Sequence, residues 1–244
     1  MLQRLQKIIV DHGICSRREA ERLIAEGLVT VNGKTAVIGQ KADGSEDAIK
    51  VKNKLLNKKS KKALLVLAMY KPRGILCTNQ SGLDESRGTL YELLPLRYRN
   101  LQNVGRLETE QEGLVLLTND GNLKNKLLNR KYEVPLLYKV KIDGHVSDKK
   151  LTRLQQRPDI EGKRVHIIEL KRISKTKGKE WLEISITDPR QRIVKKLFES
   201  IGHPVDKIKR EKFANITIKG LSSGQFRKIT KQEHEELKKW TGLA

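Results

Sequence analysis

The feature that most constrains the fold is a lysine-rich stretch early in the chain. Residues 51–62 contain six lysines: Lys52, Lys54, Lys58, Lys59, Lys61 and Lys62. Such a run favours a flexible basic linker, and a solvated helix face is the alternative. Either interpretation marks a domain boundary. We therefore expect a domain at 1–50, a basic linker at 51–62 and a larger domain at 63–244.

Residues 1–50 have the pattern of a small helical and hairpin module. Apolar residues recur at helical spacing near the start: Leu2, Leu5, Ile8 and Ile9. Ser16 followed by Glu19 predicts a capping box that opens a second helix. Alternating residues then run into Asn32-Gly33, which predicts a β-hairpin.

The larger domain contains more strand patterns than helix patterns. We expect strands at 63–70, 113–118, 137–142, 181–186 and 213–218, and helices at 123–128, 194–201 and 233–240. The strands do not alternate regularly with helices. The pattern therefore predicts an α+β fold with a mixed, largely antiparallel sheet.

The charge of the chain indicates a polyanionic partner. The net charge is +22, with 51 basic and 29 acidic side chains. Nucleic acid is the first candidate, an anionic membrane surface the second and a merely soluble basic surface the third. Residues 1–62 and the remainder are both basic, so both are expected to face the nucleic acid.

Other features argue against membrane and metal chemistry. The chain has no run of about 18 apolar residues, and its start does not resemble a signal peptide. Its two cysteines and five histidines lack ligand spacing, so we expect no metal site. The isolated cysteines fit a reducing compartment, and a cytoplasmic location is expected.

Two arginines at the predicted start of the second helix are candidates for phosphate binding. Arg17 and Arg18 oppose the helix macrodipole there, so folding alone does not explain them, although ordinary solvated charge is an alternative. The segment from Arg4 to Gly33, including Ser16-Arg17-Arg18-Glu19-Ala20, resembles the small RNA-binding domain first known from a small-subunit ribosomal protein.

A second segment, 104–121, combines an acidic loop with an apolar strand and a turn. By itself it could be a solvated loop, or one in which repulsion or burial raises the pKa of a carboxyl group. However, Gly105-Arg106-Leu107-Glu108 and the following Gly-Leu strand that ends in Thr-Asn-Asp-Gly resemble the signature of ribosomal RNA pseudouridine synthases. Segments 70–74, 138–142, 190–198, 201–203 and 220–230 follow in the order of that family, so the resemblance covers essentially the whole chain.

The resemblance implies a reaction and its residues. Enzymes of this family isomerise uridine in RNA to pseudouridine after flipping the base into a pocket. An Asp carboxylate initiates the reaction, a Tyr packs on the base, a basic residue pairs with the Asp, and neither a metal nor an organic cofactor takes part. The matching positions are Glu108, Tyr138 and Arg190.

Several residues expected near the cleft depart from the family pattern. Glu108 replaces the catalytic Asp and Gln111 replaces a Thr; the other departures are Glu110, Leu136, Pro189, Gln191 and Ile193. The extra methylene of Glu moves the carboxylate by roughly 1 Å, which can lower a rate about a hundredfold. We therefore expect a catalytically impaired or dead protein that acts by binding ribosomal RNA, with ribosome assembly as a candidate process. The alternative is an active synthase that uses Glu108; a DNA-binding protein is a third option that rests on charge alone.

The expected partner is ribosomal RNA or a pre-ribosomal particle, bound by a monomer. Phosphate contacts should dominate the affinity and make it salt-dependent. The candidate RNA-binding residues are Arg4, Ser16, Arg17, Arg18, Lys34, Arg73, Arg106, Arg192, Lys195 and Lys196.

Overall fold

The computed structural model describes residues 2–56, 63–78 and 86–243. The chain divides into two compact units, Met1–Leu64 and Leu65–Ala244. Each has its own cluster of buried apolar side chains. The α+β fold class is therefore confirmed, with helices and short strands in the first unit and a large sheet in the second.

The first unit packs two short helices with small antiparallel sheets. Its elements are β1 (Gln3–Arg4), α1 (Leu5–Asp11), α2 (Arg17–Ala25), β2 (Val29–Val31), β3 (Lys34–Thr35), β4 (Lys41–Ala42), β5 (Ile49–Val51) and β6 (Lys54–Leu55). Strand β1 pairs with β4, and the other four strands form a sheet in the order β3-β2-β5-β6. Leu5, Ile8, Leu23 and Ile24 are buried, whereas Leu2 is exposed and precedes α1.

The predicted cap of α2 forms on one side only. The Ser16 hydroxyl accepts a hydrogen bond from the Glu19 N–H at 3.2 Å, which satisfies one free donor of the first turn. The Glu19 carboxylate instead binds the Arg22 guanidinium. Ser16 thus fixes the start of α2 and leaves Arg17 and Arg18 in the first helical turn.

The prediction that the linker begins at residue 51 is wrong. Strand β6 pairs with β5, and Leu56 is buried in the core of the first unit. The chain can reverse here because Lys52 and Asn53 both adopt left-handed backbone conformations, with φ of 47° and 63°. The rest of the predicted linker, 57–62, lies outside the described residues.

The second unit is built on a nine-stranded sheet. Its elements are β7 (Val66–Lys71), β8 (Gln102–Val104), β9 (Glu112–Thr118), α3 (Gly121–Leu127), β10 (Leu136–Asp143), α4 (Asp148–Gln155), β11 (Ile167–Thr176), β12 (Lys179–Ile186), α5 (Ile193–Glu199), β13 (Val205–Phe213), β14 (Ile216–Thr217), β15 (Phe226–Lys228) and α6 (Lys231–Lys239), with 3₁₀ helices at Leu96–Tyr98 and Arg130–Tyr132. The strand order is β11-β12-β10-β13-β9-β7-β15, with β14 paired to β13 and β8 to β9. The strand expected at 213–218 is interrupted: β13 ends at Phe213, and Ala214, with φ of 51°, turns the chain into β14.

The centre of this sheet joins β9 and β13 in parallel, whereas β7, β10 and β12 pair antiparallel with their neighbours. Gly113 permits the parallel contact because a Cβ atom there would lie 2.3 Å from the Arg210 carbonyl oxygen. Its φ of +111° also suits glycine alone. Gly113 therefore fixes where the loop before β9 meets the sheet.

Candidate functional site

Glu108 lies in the loop between β8 and β9 and is bound to Gln111. The Gln111 side-chain amide donates to Glu108 Oε2 at 3.0 Å, and Gln111 Oε1 accepts from the Glu108 N–H at 3.2 Å. The Gln111 N–H also donates to the Glu108 carbonyl at 3.0 Å. Because Gln111 is only 9% exposed, these bonds hold the Glu108 carboxylate against the sheet.

Arg192 engages the other oxygen of the same carboxylate. Its Nε lies 3.2 Å from Glu108 Oε1, and both side chains are partly exposed. Arg192 immediately precedes α5 with a left-handed backbone, φ 62°, a conformation that is uncommon for arginine. The two oxygens of Glu108 are thus occupied by Gln111 and Arg192.

The expectation that Arg190 pairs with Glu108 is not met. Arg190 Nη2 lies 2.8 Å from Asp188 Oδ2, and its Nε donates to the same carboxylate. Its Nη1 donates to the Ile160 carbonyl at 2.8 Å. Asp188 is 1% exposed, so its charge requires a close counter-charge, and Arg190 supplies it.

Lys71, which was not among the predicted site residues, holds the backbone of the Glu108 loop. Its buried ammonium donates to the carbonyls of Pro72 and Gln111 at 2.8 Å and of Thr109 at 3.3 Å. Burial lowers the pKa of Lys71 to about 8. Segment 70–74, which includes Lys71, was recognised as part of the family resemblance, but the three carbonyl contacts depend on the folded loop.

Three further candidates lie around this loop. The exposed Arg73 guanidinium is 3.3 Å from Glu110 Oε2. Arg106 is exposed and lies near Lys124, whose pKa is lowered by burial and by the charge of Arg106. Lys124 also donates to Gln102 Oε1 at 3.0 Å. Arg106 and Lys124 thus place two positive charges beside the loop.

Tyr138 lies in the middle of the sheet. It is 7% exposed on the apolar side of β10, opposite Ile184 of β12 and Arg210 of β13. Among the described hydrogen bonds and ion pairs, none joins Tyr138 or Arg190 to Glu108. The predicted catalytic set is therefore brought together only in part: Gln111 and Arg192 contact Glu108 instead, and Lys71 holds the backbone of the same loop.

Some of the predicted RNA-binding residues already bind other residues of the chain, and others are exposed without an ion-pair partner. Ser16 caps α2, the Arg4 guanidinium donates to the Gly39 carbonyl, Lys196 binds Glu161, and Lys195 Nζ lies 3.9 Å from Glu199. Arg17, Arg18 and Lys34 are exposed and form no ion pair with any described residue. Among the predicted RNA-binding residues of the first unit, these three are therefore free to contact a ligand.

Within residues 2–56, 63–78 and 86–243, no helix is long and apolar enough to cross a bilayer. Over the same ranges, the acidic, histidine and cysteine side chains form no group of three that could hold a metal ion.

A basic helix-and-hairpin unit, followed by a mixed sheet with a carboxylate loop, is the arrangement expected from the resemblance to a class of RNA-modifying enzymes. The family model described as "RNA pseudouridylate synthase" matches residues 65–200, and the S4 domain model matches residues 3–46. The chain therefore belongs to the RNA pseudouridylate synthase family and carries an S4 domain before the synthase domain.

Relatives extend this similarity over the whole chain. A protein of Bacillus subtilis (strain 168), named ribosomal large subunit pseudouridine synthase B, is 35% identical over 240 residues, which cover 97% of this chain and 96% of the relative. An uncharacterized RNA pseudouridine synthase of Aquifex aeolicus (strain VF5) is 33% identical, and the match covers 98% of this chain and 95% of the relative. A crystal structure of a pseudouridylate synthase, 24% identical, matches the fold with a TM-score of 0.66 over 96% of this chain and 99% of its own.

Proposed function

We propose that this protein binds ribosomal RNA of the large subunit through both of its units, with Glu108 supporting little or no uridine isomerisation. Two features support RNA binding: the net charge of +22 and the exposed, unpaired cations Arg17, Arg18 and Lys34. The large subunit is suggested by the name of the Bacillus subtilis relative.

The engagement of Glu108 carries the proposal of impaired catalysis. Gln111 donates to one carboxylate oxygen and Arg192 lies against the other. Both carboxylate oxygens are therefore already engaged by protein donors, which a substrate would have to displace. The extra methylene of Glu also displaces these oxygens by roughly 1 Å from where an Asp would place them.

An active synthase is the second candidate, and one observation favours it. The Glu108–Arg192 pair supplies the contact between a carboxylate and a basic residue that the resemblance requires, although the cation is Arg192 and not Arg190. Gln111 and Lys71 also order the loop firmly. In this case the residues around Glu108 would accommodate a side chain one methylene longer than the Asp of the family.

Mapping of pseudouridines separates the two candidates. Ribosomal RNA from cells with and without the gene should carry the same pseudouridines if catalysis is absent. Loss of a single site in the deletion strain, restored by wild type but not by Glu108→Ala, would establish the active synthase. If the sites are unchanged and Glu108→Ala rescues the deletion phenotype as well as wild type does, the protein acts through binding.

A further inference from the structure

The least satisfied charge of the described chain is Arg210 in β13. This side chain is 3% exposed, yet its Nη2 is buried and has no hydrogen-bond partner. Its Nε donates to the Leu114 carbonyl at 2.6 Å, and its guanidinium lies 5.4 Å from the centre of the Phe213 ring. No carboxylate of the described residues forms an ion pair with it. A buried guanidinium without an anion is unfavourable for folding, so stability does not explain the presence of an arginine at this position.

Arg210 lies in β13, the strand between β10, which carries Tyr138, and β9, which follows the Glu108 loop. It pairs across the antiparallel ladder with Tyr138, so both side chains stand on the same face of the sheet. In the other direction it pairs with Gly113, the second residue of β9. Burial raises the pKa of the Cys77 thiol, and the positive charge of Arg210 is close enough to that thiol to oppose the rise. The same thiol is hydrogen-bonded to the backbone of Leu107, the residue before Glu108. Arg210 is therefore placed between the expected base-stacking Tyr138 and the loop of Glu108.

We propose that Arg210 is a specificity-determining residue whose Nη2 donates a hydrogen bond to a carbonyl oxygen of the flipped pyrimidine. This inference rests on the proposed RNA-binding function. A phosphate is a poor fit because the RNA backbone must enter and leave the site, whereas a flipped base projects inward from it. The base would lie beside Tyr138, and its carbonyl oxygen would satisfy the free donor.

The chemistry of the donor predicts selectivity for uracil. Uracil has two carbonyl oxygens, whereas cytosine presents an amino group in place of one of them. A guanidinium that faces this position donates to the carbonyl oxygen of uracil and is left unpaired by the amino group of cytosine. Sites that bind a substrate through a buried donor reject analogues that leave it unpaired. Arg210 would therefore distinguish uridine from cytidine whether or not Glu108 performs chemistry.

Binding of mononucleotides to the full-length protein tests this inference. The probes are uridine 5′-monophosphate, cytidine 5′-monophosphate and ribose 5-phosphate, with dissociation constants measured by NMR titration. Wild type should prefer the uridine nucleotide to each of the others by roughly tenfold or more, since a hydrogen bond to a charged group is worth that much. In Arg210→Met the affinity for the uridine nucleotide should fall to that for ribose 5-phosphate.

Two further variants keep the test decisive. Arg210→Lys retains the buried charge but carries it on a single nitrogen, which cannot reproduce the separated Nε and Nη2 donors of the guanidinium. It should therefore also lose the preference, with a melting temperature closer to wild type. Arg227→Met is the matched control, because this arginine of β15 already donates two hydrogen bonds to the Glu233 carboxylate. It should keep the preference for the uridine nucleotide.

The outcomes separate the inference from the proposed function. A wild type that binds the uridine nucleotide no better than ribose 5-phosphate, or folded Arg210 variants that keep the preference, would overturn the inference. Neither result would contradict the proposal of RNA binding, which is tested separately by the affinity of wild type for large-subunit ribosomal RNA. Failure of that second measurement would instead remove the proposed function.

Discussion

Gln111 and Glu108 are hydrogen-bonded to each other in both directions, through the carboxylate on one side and the backbone N–H on the other. Gln111 stands where the family pattern has a shorter Thr, and Glu108 stands where it has a shorter Asp. The long amide therefore reaches the displaced carboxylate. The two departures form one structural unit and should be tested together.

The double change Glu108→Asp with Gln111→Thr should raise pseudouridine formation on ribosomal RNA by at least about tenfold over wild type. The reason is that it returns the carboxylate by roughly 1 Å and removes the donor that occupies it. Each single change should do less. Glu110→Asp, in the same loop but exposed, is the control. A fall in activity in the double variant would show that Glu108 is already the working acid.

Arg190→Met should lower the free energy of unfolding much more than Arg192→Met does. Loss of Arg190 leaves the buried Asp188 with Arg130 at 3.5 Å as its remaining ion-pair partner, so unfolding in urea should show a loss of about 3 kcal/mol. Loss of Arg192, whose pair with Glu108 is partly exposed, should cost less than about 1 kcal/mol. Equal destabilisation of the two variants would contradict the separate roles assigned to them.

Arg17→Ala combined with Arg18→Ala should weaken binding to ribosomal RNA and flatten its salt dependence. The slope of log affinity against log salt should fall by about 1 to 2, since each phosphate contact contributes nearly one. Arg22→Ala is the matched control on the same helix, because its guanidinium is already bound by Glu19 and Glu26. A double variant with the wild-type slope would rule out this contact surface.

The stability of the second unit should depend on Lys71 at alkaline pH. Below pH 8 this lysine is charged in both the folded and unfolded states, and burial of the charge opposes folding. Since its pKa falls from 10.5 to about 8 on folding, the unfolded chain binds more protons between these values. The free energy of unfolding of wild type, relative to Lys71→Met, should rise over this interval by at most about 3 kcal/mol. A difference that stays flat with pH would show that the pKa is not depressed.

The sequence predicted the elements whose signals are local. Helix α2 follows its Ser16 cap, and β10 and β12 show the alternation of buried and partly exposed residues that their sequences predict. Strand β11 was missed because most of its ten residues are exposed and polar. Strand β13 was recognised only from Phe213, since its lysines and arginines do not resemble a central strand.

The site was predicted less completely because its contacts join distant segments. The sequence singled out Glu108 and Arg190, but Asp188 is a better-buried partner for that arginine and leaves Arg192 for Glu108. Gln111 was interpreted as decay of the family pattern. Only the hydrogen bonds between the two side chains show that it fits the longer acid.

The parallel pairing of β9 with β13 has a consequence for how the protein acquires its site. Arg210 and Leu114 are hydrogen-bonded although they are 96 positions apart in the chain. During synthesis the Glu108 loop emerges long before β13, and loop-closure entropy makes such distant pairing slow. The nascent S4 unit, whose contacts are local, can fold first and reach RNA while the centre of the sheet is still incomplete. Folding order alone would thus place formation of the S4 unit before assembly of the site around Glu108.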